Sequence, residues 1–475
     1  MFDYDDKSAK SIKQYAEKLI WKQILSILPK GFKTKKSNKW WIWQLIELYH
    51  FWKKLDNSSQ PDFHEAWVEL KVTPIKRIKK WDIRSKERLV LNVINYNNII
   101  NENWENSTFI KKNSLILLMI YLYEEDKLNI EYVMKIVEFL EFQQDKEDYE
   151  IIKNDWKIIQ NKIKEWKAHE LSEWDTQYLW ACTKWSAWWN PRPQPNSDIL
   201  AKQRAFSFKW WYMNYILKKI EWKETRYEKL FNNTETVWVN FENELKKLFE
   251  PYIWKTAFEI WNMLNLEHKN QKSYYAMLSN KIMKVTSEEN TEEFIKHNIN
   301  LKTIRIKPDW NLAEDVSLPT FKSKKIVKQE WLDSDLYNML EWDKFFFVIY
   351  KIQTENITKF RDLNKTEKDK ALILDRVILW NTPWNDIELK AKKTWEKTIE
   401  LMKNWVTITP KEKKYKDWYR TDYYNDLPSK SETNMIHVRP HASDSSYRDE
   451  LPDWQTITKS CFWLNSDYIK KELWI

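Results

Sequence analysis

The chain has 475 residues, 79 Lys and Arg against 70 Asp and Glu, a formal charge of +9, and only two cysteines, Cys182 and Cys461. That length suits two domains, and the distant thiols exclude a disulfide framework and a CxxC zinc site and point to a reducing compartment. The acidic start Met1-Phe2-Asp3-Tyr4-Asp5-Asp6 and the lack of any long apolar run give no expectation of a leader or a membrane span, so a prokaryotic cytoplasm is expected. The modest basic excess suits a nucleic-acid binder without requiring one, because A+T-biased coding also enriches Lys.

One inversion dominates the composition: 1 glycine and 32 tryptophans. A globular chain carries glycine at roughly 7%, and only glycine freely supplies positive φ for turns and helix ends. Trp also occupies turn-like contexts, as in Lys39-Trp40-Trp41-Ile42-Trp43, Trp188-Trp189-Asn190-Pro191, Thr382-Pro383-Trp384-Asn385 and Pro452-Asp453-Trp454. The expectation is that most of these Trp stand where the natural protein has Gly, through UGA codons that the source genome reads as glycine. The alternative, a truly Trp-rich protein, would cover its surface with apolar indole.

In chain order, residues 8–28 read as an amphipathic helix, and Trp43-Gln44-Leu45-Ile46-Glu47 opens a second. Residues 62–76 alternate with period two, Val68, Leu70 and Val72 against Glu69, Lys71 and Thr73, which predicts a strand. Ser85 to Asn97 reads as helical, with Ser85 as N-cap. Leu115 to Tyr121 is a buried strand by composition, residues 132–167 a charged helix, Tyr178 to Cys182 a strand, and residues 202–220 a basic helix. Residues 225–250 read as a linker. After Pro251 the pattern restarts: Ile253-Trp254-Lys255-Thr256 opens a helix, Ile299-Asn300-Leu301-Lys302-Thr303 repeats the 68–72 strand, and Phe345 to Tyr350 repeats the 115–121 strand. The offset of about 231 residues predicts an internal duplication into two similar α/β lobes.

The strongest chemical signal is Pro61-Asp62, six residues, then Glu69-Leu70-Lys71. Glu69 and Lys71 share a strand face, and Asp62 can fold in from the preceding turn. Two adjacent carboxylates suit a hard cation such as Mg²⁺. The lysine can orient or deprotonate a water and stabilise a charged phosphate. Taken by spacing alone, this is more often the pattern of a solvated strand face with an i,i+2 charge pair.

With Trp read as Gly, Lys39 to Glu47 becomes K-G-G-I-G-Q-L-I-E, and Ala66 to Lys71 becomes A-G-V-E-L-K. Together with Ser85-Lys86-Glu87-Arg88-Leu89, Tyr178-Leu179-Trp180-Ala181-Cys182-Thr183-Lys184, Asn190-Pro191-Arg192-Pro193, Lys202-Gln203-Arg204-Ala205-Phe206, His437-Val438-Arg439-Pro440-His441 and Thr458-Lys459-Ser460-Cys461-Phe462-Trp463, the sequence resembles the MutH family of GATC-specific endonucleases in the PD-(D/E)xK superfamily. Among them it is most similar to the two-lobed type II restriction enzymes that cut GATC. Trp463 is expected to be a genuine Trp.

The resemblance implies a mixed central sheet flanked by helices in each of two lobes, a catalytic lobe over 1–235 and a silent, DNA-binding effector lobe over 250–475. It implies Mg²⁺ held by Asp62 and Glu69 with Glu47 as a further acidic residue, and Lys71 and Lys112 as active-site lysines. An ordinary helix-surface Glu47 and a solvated loop Lys112 are the plain alternatives. It implies DNA contacts at Lys184, Arg192, Arg204 and Lys209, and in the second lobe at Arg439, His441 and Lys459. Asn300 replaces Glu69 in the second copy, with Glu293 and Lys302 in place of Asp62 and Lys71, so this lobe should not cut. Pairing of two chains on double-stranded DNA and a cognate methyltransferase as genetic partner are also implied. A mismatch-repair nickase and a non-catalytic DNA-binding module are the competing functions; the nickase needs one lobe only.

Overall fold

In the computed structural model the chain forms two compact units, Met1–Arg226 and Tyr227–Ile475. The residues described are 3–32, 42–55, 60–79, 82–124, 126–172, 175–183, 191–221, 227–231, 241–266, 274–288, 291–353, 360, 362–415, 418–442 and 447–474. Lys184 and the Trp40-Trp41 and Trp188-Trp189 pairs lie outside them.

The first unit is built on a sheet of order β2-β1-β4-β5, from β1 (Val68–Lys79), β2 (Asp82–Ser85), β4 (Leu115–Leu122) and β5 (Val133–Glu141). β1 runs parallel to β4, with Val68 opposite Leu115, while β2 and β5 are antiparallel to their neighbours. A central strand covered on both faces reads as continuous apolar sequence, and Ile116 to Ile120 of β4 are all fully buried. Leu70, Leu117, Met119 and Val137 form one core with Ile12 and Ala16 of the Ala9–Glu17 helix. A second sheet, β3-β9-β6, is made by β3 (Leu89–Val93), β6 (Leu179–Thr183) and β9 (Arg204–Phe208), with the hairpin β7 (Arg192–Gln194) and β8 (Ser197–Ala201) beside it in the chain.

Several sequence expectations are corrected. The strand begins at Val68, and residues 62–67 form a turn. Within residues 85–97 a strand runs over Leu89–Val93 and a helix begins only at Tyr96, because Leu89 and Leu91 are buried around an outward Val90, the period of two of a half-covered sheet. Residues 133–141 form β5, and the helix begins at Lys146, capped by Asp145, whose side chain accepts the Asp148 N–H. The basic helix over 202–220 is β9 followed by a helix over Trp210–Glu221. The first helix ends at Glu17, and Trp21 then takes φ 65°. Thr256 caps a helix over Ala257–Met263, with a reciprocal bond from Glu259. Trp384 lies in a helical turn, Trp384–Asp386.

The second unit repeats the topology. β10 (Ile299–Ile306), β11 (Val316–Thr320), β12 (Lys344–Ile352) and β13 (Leu372–Asn381) are followed by the ribbon β14 (Ile408–Tyr415) and β15 (Trp418–Asn425), then β16 (Ile436–Pro440), β17 (Arg448–Glu450), β18 (Thr456–Thr458) and β19 (Ser460–Leu464). β10 pairs parallel to β12 and β12 antiparallel to β13, as β1, β4 and β5 do. The register slips between Ile120 and Tyr121 in one unit and between Ile349 and Tyr350 in the other, so even the irregularity recurs. The sheet β11-β19-β16 answers β3-β9-β6, and the β17–β18 hairpin answers β7–β8.

The backbone bears directly on the tryptophans. Of twelve non-glycine residues with positive φ among those described, eight are Trp: 21, 52, 67, 166, 254, 310, 454 and 474. A side chain in the left-handed region costs roughly 1–2 kcal/mol, and glycine avoids that cost. All eight indoles are exposed, so no burial offsets the strain. Trp463 behaves differently: its Nε1–H donates to the Arg439 carbonyl at 3.3 Å, and its ring meets His441 and the Arg439 guanidinium.

Candidate active site

The site forms where β1 emerges from a tight turn. Phe63 and Val68 exchange main-chain hydrogen bonds of 2.9 and 3.1 Å, and Trp67 closes the turn at φ 58°. The chain therefore doubles back, and Asp62 lies against the start of the strand. Its Oδ2 accepts the Leu70 N–H at 2.8 Å, while its own N–H donates to Glu69 Oε2 at 3.2 Å.

Glu69 is only 2% exposed. The Lys71 ammonium donates to Glu69 Oε1 at 2.7 Å and to the Leu91 carbonyl on β3 at 3.1 Å. Lys112 arrives from the other side. It belongs to the Thr108–Asn113 helix, capped by Ser107, which delivers the chain into β4. Because β4 is parallel to β1, the end of that helix lies beside Glu69: Lys112 Nζ is 3.6 Å from Glu69 Oε2 and donates to the Gln60 carbonyl at 3.0 Å. Burial pushes the Glu69 carboxyl up to about 6, and the Asp62 charge adds to this; Lys71 and Lys112 pull the other way.

Asp62, Glu69, Lys71 and Lys112 are thus brought together. The donor set fits Mg²⁺: two hard carboxylates on adjacent segments, one of them raised in pKa by burial with its neighbour's charge adding to it, is an arrangement that a divalent cation relieves. Such an ion is commonly held by one or two carboxylates plus substrate phosphate. Glu47 stays apart. Its helix widens into a π turn over Ile46–His50, where Glu47 is half-buried and its carbonyl accepts the Lys53 N–H. Among the described residues no group of three His, Cys, Asp or Glu is placed to hold one ion.

The expected DNA contacts divide. Arg192 is exposed on β7, with Nη2 3.5 Å from Gln203 Oε1. Arg204 and Lys209 are corrected to architectural residues. Arg204 is 8% exposed and donates to the Ala181 and Leu171 carbonyls at 2.7 and 2.5 Å, and Lys209 is buried and donates to the Thr176 carbonyl. Cations buried this deeply present little of their charge to a groove. Arg439 is exposed, with Nη1 3.9 Å from Asp315. The His441 ring lies edge-on to Trp463, and the Lys459 carbonyl accepts the His441 N–H.

In the second unit the equivalent place is filled differently. Glu293 is buried and its carboxylate accepts the Leu230 and Phe231 N–H groups. The Asn300 amide donates to Asp343 Oδ2 at 2.8 Å, and Asn298 also donates to Asp343. Lys302 donates to the Ser317 carbonyl on β11 at 3.1 Å, as Lys71 does to Leu91 on β3. Burial holds the Lys302 pKa below its usual value. Asp343 was missed in the sequence; it directly precedes β12, and only the parallel register places it beside Asn300.

Comparison with known proteins gives the family. The model of the family described as DNA mismatch repair enzyme MutH matches residues 51–155, the span that carries Asp62, Glu69, Lys71 and Lys112. The chain is also 33% identical, over 96% of its own length and 96% of the relative's, to the type II restriction enzyme Sau3AI of Staphylococcus aureus. A match of that extent leaves neither unit outside it, and the chain belongs to the MutH-like family of type II restriction endonucleases, site-specific deoxyribonucleases.

Proposed function

We propose that this endonuclease cleaves double-stranded DNA at GATC by Mg²⁺-dependent hydrolysis, with Asp62 and Glu69 as metal ligands and Lys71 and Lys112 as the cations of the site. The catalytic lobe spans residues 1–235, and the lobe over 250–475 is silent and holds a second duplex. Mg²⁺, when bound, supplies the positive charge that acidifies an attacking water and neutralises the phosphate. The observation that carries the reading is the buried Glu69 carboxylate, held between Asp62, Lys71 and Lys112 at the start of β1.

The chain's own groups divide the work. An ammonium has three donors, and Glu69 and Leu91 engage two of those on Lys71. The third orients the water or a phosphate oxygen and opposes the charge that grows there. Lys112 anchors on the Gln60 carbonyl and keeps a second positive charge on the far oxygen of Glu69. Water attacks phosphorus and gives up a proton to solvent as one P–O bond forms, and the P–O bond to the departing sugar oxygen breaks as that oxygen takes up a proton from solvent.

Asn300 supports the silence of the second lobe, because its neutral amide is tied to Asp343 where the first lobe has Glu69. Arg192, Arg439, His441 and Lys459, with Lys184, are proposed to contact DNA. No helix among the described residues is long and apolar enough to cross a membrane; we place the protein in a prokaryotic cytoplasm, paired with a cognate methyltransferase and able to pair with a second copy on DNA. Glu69→Ala protein incubated with unmethylated GATC plasmid and Mg²⁺ tests the assignment. Loss of cutting with retained DNA binding is expected, and wild-type cutting by that variant refutes it.

A further inference from the structure

The second unit contains a cavity of about 570 Å³ that no part of the hydrolytic reading uses. It opens beyond the far end of β10, where Arg305 and Lys307 lie. At roughly 3.3 Å per strand residue, Arg305 is about 16 Å along β10 from Asn300. Lys368, Lys430 and Arg439 complete the basic lining, and Glu314 and Asp315 are its carboxylates. Five cations against two carboxylates leave an excess of three positive charges.

The carboxylates set two of the cations in place. Arg305 Nη2 donates to Glu314 at 2.6 Å. Lys430 Nζ donates to Asp315 Oδ1 at 2.8 Å and to Ser466 Oγ at 2.5 Å, and the Ser466 N–H donates to the same Asp315 oxygen at 2.8 Å. Lys307 and Lys368 make no side-chain hydrogen bond or ion pair among the described residues, and Arg439 only approaches Asp315 at 3.9 Å. Lys430 also lies 3.6 Å from Asp467, yet cations that outnumber the carboxylates around a concave space attract a polyanion, and charge-assisted bonds to phosphate oxygens are the chemistry that lysine and arginine supply together.

We propose that this cavity is a phosphate-binding site, separate from the hydrolytic centre, which takes phosphate groups of a nucleic-acid backbone or of a free nucleotide. Its duplex form rests on the second-duplex role proposed for this unit; the phosphate site itself does not.

Full-length protein in EDTA, titrated with pyrophosphate by calorimetry, tests it. Wild type and Lys71→Ala should bind alike. Each of Lys307→Ala and Lys368→Ala should weaken binding roughly tenfold, the loss of one charge-assisted bond, and the double variant about a hundredfold. Both lysines are half-buried and make no side-chain hydrogen bond or ion pair among the described residues, so unliganded melting should change little. A competing duplex without GATC distinguishes the sources. Displacement of pyrophosphate assigns the site to nucleic-acid backbone, and displacement by ADP but not by duplex assigns it to a free nucleotide. Absence of pyrophosphate binding, or equal affinity in wild type and the double variant, overturns the proposal. Plasmid cleavage read in parallel reports on the hydrolytic reading separately.

Discussion

Replacing the eight positive-φ tryptophans by glycine should stabilise the protein, and the size of the gain follows from the backbone. Four of them, Trp21, Trp52, Trp67 and Trp166, lie in the first unit, and Trp254, Trp310, Trp454 and Trp474 in the second. A side chain at φ 53–68° costs roughly 1–2 kcal/mol, while glycine returns about 0.5–1 kcal/mol through the entropy of the unfolded chain. The net is about 1 kcal/mol per site. Four sites then give about 4 kcal/mol per unit, a large share of the ~5–15 kcal/mol that holds a domain together. For units of this size 1 kcal/mol moves the midpoint by roughly 2–4 °C, so each unit should melt about 8–16 °C higher. Scanning calorimetry of the chain as written and of the eight-glycine variant measures this. Trp463→Gly is the contrast: it removes a hydrogen bond and two ring contacts and should lower the midpoint. An eight-glycine variant that melts at or below the starting chain would refute the reasoning. Trp67→Gly alone should also raise cleavage, because that turn sets Asp62 against Glu69.

The remaining predictions concern the site. Lys71→Met should lower kcat by roughly 10²–10⁴-fold, with duplex affinity in Ca²⁺ unchanged; a loss confined to KM would refute its role. The Glu69 carboxyl, raised from 4.5 to about 6 in the folded state, binds more protons there than when unfolded, so stability falls as pH rises from about 4.5 to about 6. The loss is roughly 2 kcal/mol, about 1.5 units at 1.36 kcal/mol each, and it should be absent in Glu69→Gln urea titrations; an unchanged pH profile in that variant sinks the assignment. Since protons and Mg²⁺ compete for the same oxygens, cleavage at limiting Mg²⁺ should rise through pH 6. Arg204→Ala should lower the melting midpoint by several degrees, because two buried carbonyls lose their donor. It should leave the salt dependence of DNA binding unchanged, whereas Arg439→Ala should reduce that slope by about 1 at constant midpoint; the opposite pattern would reverse their assignments.

The sequence by itself determined the Asp62/Glu69/Lys71 spacing, the strands over 115–121 and 345–350 and the duplication, because side-chain alternation and apolar runs are local properties of a chain. It also marked where glycine is missing, since positive φ in turns is a local demand. It misread 85–97 and 132–141 as helix, where charged residues at helical spacing masked a period of two that appears only once one face is covered. Tertiary structure alone decided which charges face outward. Arg204 and Lys209 look like Arg192 in sequence, yet carbonyls contributed by other segments bind them inside the unit. The parallel pairing of β1 with β4 brings Lys112 to Glu69, and that of β10 with β12 brings Asp343 to Asn300. Those contacts join residues more than forty positions apart, and a one-dimensional pattern holds no record of which strand becomes whose neighbour.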